Sequence, residues 1–470
     1  MPSEDVLYQK RIPIFPRSVK GRYRTLKYLI LFFAYAVYFL LPWIPWSRAD
    51  GPSQTILFDI VERRFYLFNL TVYAQDIFWL AGILIVAAFL LFFVTAIVGR
   101  VFCGYFCFQT LWTDVYQLIE RLVQGERNAR MKLAAAPWSA NKITRMSLTW
   151  LLWLLVAFWT GFSFTLYWSQ APVLFVQFFS GQAPFPAYAT TLFLTVTTFV
   201  MAGLAREQVC TYMCPYARFQ GAMVDSDTLI VAYDEQRGER TAGRAKPQKT
   251  LLAQQQRIDS GVGDCIDCGY CVQVCPVGID IRNGMQYQCI TCALCIDACN
   301  TIMRTIDDPT GLIRYTSENQ LLGKRTNWFK AKNVGYGSLT LIVIGLLSWS
   351  INHRAVLEMS VGQVRQPLYV MMSDGSIQNR YSVKINNKLS KPVSYKLTVK
   401  SLPGAQWEVR PSSIISLGPG ESASYEVRVW LKPDAETEHD MDFMFVLEQL
   451  SDNRAVVSKQ VDFYIPQNMR

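Results

Sequence analysis

Cysteine carries most of the chemistry this sequence can perform. All twelve cysteines fall into metal- or redox-type spacings. Cys265, Cys268, Cys271 and Cys275 follow C-x2-C-x2-C-x3-C with Pro276 next, and Cys289, Cys292, Cys295 and Cys299 repeat the spacing. This doubled run is the ligand pattern of a bacterial two-cluster ferredoxin. A cubane cluster needs four converging thiolates, and soft sulfur suits iron–sulfur chemistry. Three cysteines at three-residue steps wrap one cluster face, and the fourth ligand comes from the other run. One [4Fe–4S] cluster is therefore expected on Cys265, Cys268, Cys271 and Cys299, and the other on Cys289, Cys292, Cys295 and Cys275. Gly269 and Gly278 are expected to let backbone N–H groups approach the sulfurs, and Pro276 to turn the chain away; the second run has Asn300 in place of that proline. Structural zinc also uses C-x2-C knuckles, but rarely three such steps and a fourth cysteine twice in succession. A disulfide framework needs an oxidising compartment, which the topology below argues against.

The other four cysteines form two C-x3-C pairs, Cys103/Cys107 in VGRVFCGYFCFQTLW and Cys210/Cys214 in AREQVCTYMCPYARFQ. Each pair follows an apolar segment. On a helix, positions i and i+4 share one face, so each pair would present two sulfurs together. Two pairs at one membrane level would converge into one four-sulfur site. Thiolates bind and reduce soft metals, and Cu(I) prefers sulfur, so these four are the candidate catalytic and copper-binding residues. The plainer reading is that they are small buried apolar residues. Met213 is a further candidate donor. Histidine is scarce: only His353 and His439 are present, neither within the first four apolar spans. A transmembrane haem relay needs axial ligands, usually histidine. Electrons are thus expected to stay on the cluster side of the membrane, with the C-x3-C sulfurs as their nearest terminus.

These residues must be positioned by membrane helices. The chain is 51% hydrophobic and 17% charged, and no Asp, Glu, Lys or Arg occurs between Met146 and Ala205. Five segments match the length that a ~30 Å hydrocarbon core requires: Tyr28–Trp46, Ile77–Val98, Met146–Trp168, Ala187–Leu204 and Val334–Ile351. Pro42 and Pro45 are expected to end the first helix early. Ala171–Ser180 is too short to span and suits the interface. Lys10, Arg11, Arg17, Lys20, Arg22, Arg24 and Lys27 make the N-terminal segment basic, and Arg121, Arg127, Arg130, Lys132 and Lys142 do the same for the second loop. By the positive-inside rule, the N-terminus, the second loop and the long cysteine-bearing fourth loop face the cytosol, and the C-terminal domain faces the periplasm. The net charge of +10 then reads as a topology signal rather than as nucleic-acid binding. The first apolar run lacks a small-residue cleavage site and reads as an uncleaved anchor.

The domain reading follows: a basic segment 1–27, a four-helix membrane region 28–205, a cytosolic polyferredoxin domain 206–332, a fifth transmembrane helix 333–351 and a periplasmic β domain 352–470. Asp234–Gln256 is a polar lead to the cysteine core, and the two cysteine runs are the only internal repeat found. From Tyr381 onward, apolar residues alternate: Tyr381-Val383-Ile385, Tyr395-Leu397-Val399, Tyr425-Val427-Val429, Phe443-Phe445-Leu447 and Val461-Phe463-Ile465. Asn386-Asn387, Pro403-Gly404 and Gly418-Pro419-Gly420 punctuate them. Alternation with regular turns predicts an immunoglobulin-like sandwich, whose ordinary role is docking. Met371, Met372, Met441 and Met444 are candidate Cu(I) ligands there, although loop and strand methionines explain them as well.

Taken together, the segments GRVFCGYFCFQTLWTDVY and REQVCTYMCPYARFQGAM, the double ferredoxin run, the basic lead and the C-terminal β domain resemble the FixG/CcoG/RdxA family of cytochrome c oxidase accessory proteins over nearly the whole chain. Cys214-Pro215 keeps the family's C-x3-C-P form, whereas Phe108 stands where the first pair would have proline. The resemblance implies a bacterial inner-membrane protein acting as a cupric reductase in assembly of a cbb-type oxidase. Implied partners are membrane lipid, a cytosolic electron donor, and copper chaperones or a transporter with oxidase assembly factors; self-association stays open.

The expectation is a multi-pass α-helical membrane protein with a cytosolic two-[4Fe–4S] ferredoxin-like domain and a C-terminal all-β immunoglobulin-like domain. It is expected to carry electrons from the clusters to Cu(II). The rival readings are a membrane quinol dehydrogenase subunit, as in a related polyferredoxin group, and a non-catalytic oxidase assembly scaffold.

Overall fold

The computed structural model describes residues 13–48, 51–61, 63–73, 76–245, 254–353, 357–389, 392–418, 420–432, 440–450 and 455–466. Lys10, Arg11, His439, Pro419 and the middle of the polar lead to the cysteine core lie outside the described residues. The chain divides into two compact units, 1–46 with 53–347 and 47–52 with 348–470.

In the first unit, α1 (Arg22–Leu40) starts six residues before the expected span and gives way to a 3-10 turn at Leu41–Trp43. Pro42 lacks the N–H that would continue the helix. An antiparallel meander follows, β1 (Ile56–Asp59), β2 (Arg64–Leu67) and β3 (Leu70–Tyr73). α2 (Ile77–Val98) has the bounds expected from its apolar run. Then come α3 (Val101–Tyr105), α4 (Phe108–Gln124), α5 (Arg127–Ala135), α6 (Ala140–Thr165), α7 (Ala171–Phe179) and α8 (Phe185–Thr198). α8 runs into a π-helical turn at Phe199–Ala205; a second π turn, Val209–Met213, leads to α9 (Pro215–Met223). With the helix Ala331–Asn352, five helices are long and apolar enough to cross a membrane. Their outer faces expose large apolar side chains such as Leu84, Leu155, Phe193 and Leu341, as helices in lipid do.

Several basic residues counted as loop charge are structural. Lys27 is fully buried and pairs with Asp114 of α4 at 2.9 Å, beside Arg24 at 3.4 Å. Arg130 is buried and pairs with Glu120 at 2.8 Å. Lys142 donates to the carbonyls of Ala134 and Ala136 at 2.9 and 2.6 Å. A buried charge is tolerated only when it is paired, so these pairs fix how α1, α4 and α5 meet.

The cysteine-bearing segment is closed by an antiparallel pair, β4 (Ile230–Tyr233) and β5 (Ile313–Thr316). Its helix Leu294–Thr305 packs on the start of α1. Asp297 accepts from the N–H groups of Arg24 and Tyr23 at 2.8 and 3.3 Å, satisfying otherwise unpaired donors of the first turn of α1. Gly21 makes room for that carboxylate: a Cβ there would lie 2.3 Å from Asp297 Cγ.

The second unit is a sandwich. One sheet has the order β10 (Gln406–Arg410), β12 (Ser422–Leu431), β8 (Ile377–Asn387) and β6 (Leu357–Gln363), with β7 (Val370–Met371) also on β8. The other has the order β11 (Ile414–Leu417), β9 (Val393–Lys400), β13 (Asp440–Gln449) and β14 (Ala455–Tyr464). The alternating residues Tyr381, Val383, Ile385, Val427, Val429, Phe443, Phe445 and Leu447 fill its core. Met371 and Met372 are exposed beside the first sheet, while Met441 and Met444 lie on the second and Met441 packs on the core.

Asp297→Ala removes the cap from α1. The expected cost is about 1–2 kcal/mol, read as a lower thermal midpoint of the detergent-solubilised protein and faster proteolysis at residues 13–21. An unchanged midpoint would show that the cap does not hold α1 on the cysteine segment.

Candidate metal centre

The two cysteine runs fold alike. In each, the residues flanking the second cysteine take left-handed backbone: Asp267 (φ 51°) and Gly269 (φ 64°) in the first run, Thr291 (φ 53°) and Ala293 (φ 60°) in the second. Turns of this kind aim successive N–H groups into the concavity. Gly278, expected to be permissive, also has positive φ (71°), and a Cβ there would meet Ile14 at 2.8 Å. The runs part at their ends. Pro276 breaks the chain after Cys275, whereas Asn300 continues the helix Leu294–Thr305 and accepts from Gly311 N–H at 2.9 Å.

The packing gathers the eight cysteines of the two runs around two neighbouring pockets, with Cys271 lining both. Cys265, Cys268, Cys271 and Cys299 line one pocket, with Ile313 and Leu312. Cys275, Cys289, Cys292 and Cys295 line the other beside Cys271, with Ile279 and Ile290. Within each set the thiols act on one another electrostatically. Burial pushes Cys271 and Cys289 up to about 11 and Cys275 and Cys299 up to about 12. Opposing this are N–H groups of Val277 and Ile279 on Cys275, Thr291 on Cys289 and Leu294 on Cys292. Four soft donors, apolar walls and N–H groups on sulfur form the environment that an iron–sulfur cluster takes.

The C-x3-C pairs differ from the expectation of two sulfurs on one helix face. In each pair the helix breaks at the second cysteine. Cys103 lies in α3, while Cys107 is extended (ψ 126°) and heads α4; Cys210 lies in a π turn, while Cys214 is extended (ψ 110°) and heads α9. The N–H of each second cysteine bonds five residues back, Cys107 to Phe102 O at 3.0 Å and Cys214 to Val209 O at 2.8 Å. Four residues before each first cysteine the backbone turns to positive φ, at Gly99 (55°, ψ −130°) and Arg206 (46°, ψ −114°). The pairs are thus a second internal repeat, missed by reading sequence because Gly99 and Arg206 share no side chain.

The two loops converge. Cys107 and Cys214 both act on Cys103; Cys103, Cys107 and Cys214 all act on Cys210; Cys214 acts on Cys107. Burial pushes Cys103 up to about 11 and Cys210 up to about 12. Buried Gln220 of α9 ties the loops: its Oε1 accepts from Cys103 Sγ at 3.2 Å and from Arg100 Nε at 3.1 Å. Neither Gln220 nor Arg100 stood out in the sequence. Arg100 also reaches the carbonyl of Tyr287, just before Cys289. Among the described residues, no group of three or more His, Cys, Asp or Glu side chains is drawn in tightly enough for a single metal ion, and this holds for all three sulfur sets.

The first loop rests directly on a cysteine run. A Cβ at Gly104 would lie 2.7 Å from Ile290 O and 2.9 Å from Cys292 Cα, so only glycine fits. Tyr105 donates its hydroxyl to Cys292 O at 3.1 Å. Cys103 and Cys292 share one buried apolar cluster with Val19, Val274 and Ile290.

Apolar spanning helices joined to paired cysteine sets define a membrane-associated iron–sulfur protein. Family models agree: residues 78–124 match a 4Fe-4S binding domain, 205–318 a 4Fe-4S dicluster domain, and 347–466 the IG-like fold at the C-terminus of FixG. The chain is 38% identical to nitrogen fixation protein FixG of Rhizobium meliloti, over 98% of this chain and 94% of that one. It is 38% identical to protein RdxA of Cereibacter sphaeroides, over 90% of each. A crystal structure of a FixG-related protein from Vibrio parahaemolyticus covers 24% of this chain and 97% of its own, at 23% identity and a TM-score of 0.21. The chain belongs to the FixG family.

Gly104→Ala forces the first loop off the Cys292 backbone. Overpacking against main chain costs about 1–3 kcal/mol, so both thermal midpoint and iron content are expected to fall. Gly345→Ala, where a Cβ meets nothing within 4 Å, is the control and is expected to change neither.

Proposed function

We propose that this protein is an electron-transfer protein of the bacterial inner membrane that reduces Cu(II) to Cu(I), supplying copper for assembly of a cbb-type cytochrome c oxidase. The observation that carries this reading is the four-thiol group at Cys103, Cys107, Cys210 and Cys214, which touches the Cys292 loop through Gly104. When bound, iron–sulfur clusters supply one-electron storage. The assignment gives Cys265, Cys268, Cys271 and Cys299 one cluster, and Cys289, Cys292, Cys295 and Cys275 the other. The chain's own residues hold and bury these sites, and Arg100 sets positive charge between Cys289 and the C-x3-C group. Each Cu(II) takes up one electron at the edge of that group and leaves as Cu(I), while a one-electron donor is oxidised on the opposite side of the cysteine segment. Lys/Arg bias supports a cytosolic ferredoxin region and a periplasmic sandwich. The sandwich suits docking to chaperones or assembly factors.

The test is anaerobic Cu(II) titration of the reduced protein in detergent, following cluster absorbance and EPR together with a Cu(I)-specific chelator. One Cu(I) is expected per stored electron. Reduced protein that ignores Cu(II) would remove copper from the reading.

A quinol-linked reading draws on one further observation. A cavity of about 340 Å³ opens among the spanning helices, lined by Tyr38, Phe108, Gln109, Trp112, Thr160 and Phe164, immediately after Cys107 in the chain. Reduction of the protein by a short-chain quinol in liposomes, blocked by Gln109→Leu, would favour it; no reduction would remove it.

A further inference from the structure

We infer that Cys103, Cys107, Cys210 and Cys214 are the ligands of a third iron–sulfur cluster, of the [4Fe–4S] type. The inference goes beyond the copper reading and does not depend on it.

The ligand count demands completion from elsewhere in the chain. The 4Fe-4S binding domain matched at residues 78–124 contains only Cys103 and Cys107. A cubane needs four ligands, so two must come from outside that segment. Eight of the other ten cysteines already line the two ferredoxin pockets. The two that remain, Cys210 and Cys214, lie on the loop leading into α9, which packs on the first loop: Gln220 of α9 accepts from Cys103 Sγ at 3.2 Å and the rings of Tyr216 and Phe102 meet at 6.1 Å.

One local feature is shared with the ferredoxin sets, N–H groups aimed at sulfur. Cys107 receives N–H groups from Gln109 and Thr110 on its sulfur, as Cys275 does from Val277 and Ile279. Cys107 and Cys214 both sit at the start of a helix, the 17-residue α4 and the 9-residue α9. Helix N-termini favour negative charge, and a cubane with four thiolates is an anion. Arg100 adds a full positive charge within reach of both Cys103 and Cys210. Tetrahedral coordination of one ion, with metal–sulfur bonds near ~2.3 Å, needs a tighter cage than any of the three sulfur sets provides among the described residues. A copper ion arriving as substrate would then meet the outside of the cluster, where Met213 is 63% exposed beside Cys214.

The test is metal and sulfide counting on the full-length chain, purified anaerobically and reconstituted with iron and sulfide, with Mössbauer spectra of the ⁵⁷Fe-loaded protein. Three cubanes give about 12 irons and about 12 acid-labile sulfides per chain. Cys107→Ser with Cys214→Ser is expected to lower both to about 8, leaving the spectra of the ferredoxin pair unchanged. The wild-type count guards against a variant that fails to fold: saturation at about 8 irons overturns the inference whatever the variant does. A variant retaining wild-type iron overturns it as well. Failures of the two readings are separable. About 12 irons without Cu(I) formation removes the copper reading alone, and about 8 irons with Cu(I) formation removes the third cluster alone.

Discussion

A thiolate taken out of water needs a cation, and this chain withdraws eleven of its twelve thiols at least partly from solvent. Cys292 is buried and Cys295 half-buried, and burial raises both thiols, Cys295 well above its ordinary value. Desolvation disfavours the charged form of any acid, while metal ligation demands that form. The fold answers with fixed positive charge near each set. Arg282 acts on Cys271, Lys27 and Arg24 on Cys292, and Arg100 on Cys289, Cys103 and Cys210. Arg100 is the one that serves both a ferredoxin set and the C-x3-C group. The residues it touches, Gln220 and Tyr287, come from the two segments that must be kept in register for the sulfurs to converge.

The same charges attach the cysteine segment to the helices. Asp114 of α4 receives Lys27 and Arg24 of α1, and the first turn of α1 is capped by Asp297 between two cysteines. Buried ion pairs add little net stability, because desolvation offsets their Coulomb energy. Their directionality suits them to fixing one arrangement of α1, α4 and the helix Leu294–Thr305. A basic N-terminal segment therefore carries two kinds of information. Arg22 takes part in no ion pair among the described residues and is the kind of charge the positive-inside rule counts; Arg24 and Lys27 are committed to the interior.

Much of this was legible in the sequence, for physical reasons that differ by region. The iron–sulfur character was legible because a doubled C-x2-C-x2-C-x3-C run is specific to that chemistry. The span Ile77–Val98 was legible to the residue because an apolar run bounded by Asp76 and Gly99 has unambiguous ends. The sandwich core was legible because strand alternation puts Tyr381, Val383 and Ile385 on one face. The meander β1–β3 was not, since each strand has four residues and shows little alternation of burial. The break between Cys103 and Cys107 was not, because helical periodicity alone does not reveal a turn that closes five residues back. Gly104 was visible as a residue and silent as a signal: its constraint comes from Cys292, which lies far away in sequence.

The matched C-x3-C loops show how the sulfur group depends on the membrane helices. Both chains must pass through positive φ with strongly negative ψ four residues before the first cysteine, a region that ordinary side chains rarely occupy. At Gly99 there is no Cβ to object, and one would press on Leu229 O at 3.2 Å. At position 206 the residue is arginine, so the surrounding fold must supply the energy. Its guanidinium pairs with Glu120 of α4, donates to Gly203 O at 2.7 Å and stacks over Trp153 of α6 at 5.2 Å. Glu120 is in turn held by Arg130 of α5. The first sulfur pair thus owes its geometry to a local property of glycine. The second owes it to packing of α4, α5 and α6, and forms only once those helices are assembled. The geometry of these four sulfurs is consequently tied to the packing of the helix bundle, whereas the two ferredoxin runs, 265–275 and 289–299, lie in one contiguous segment.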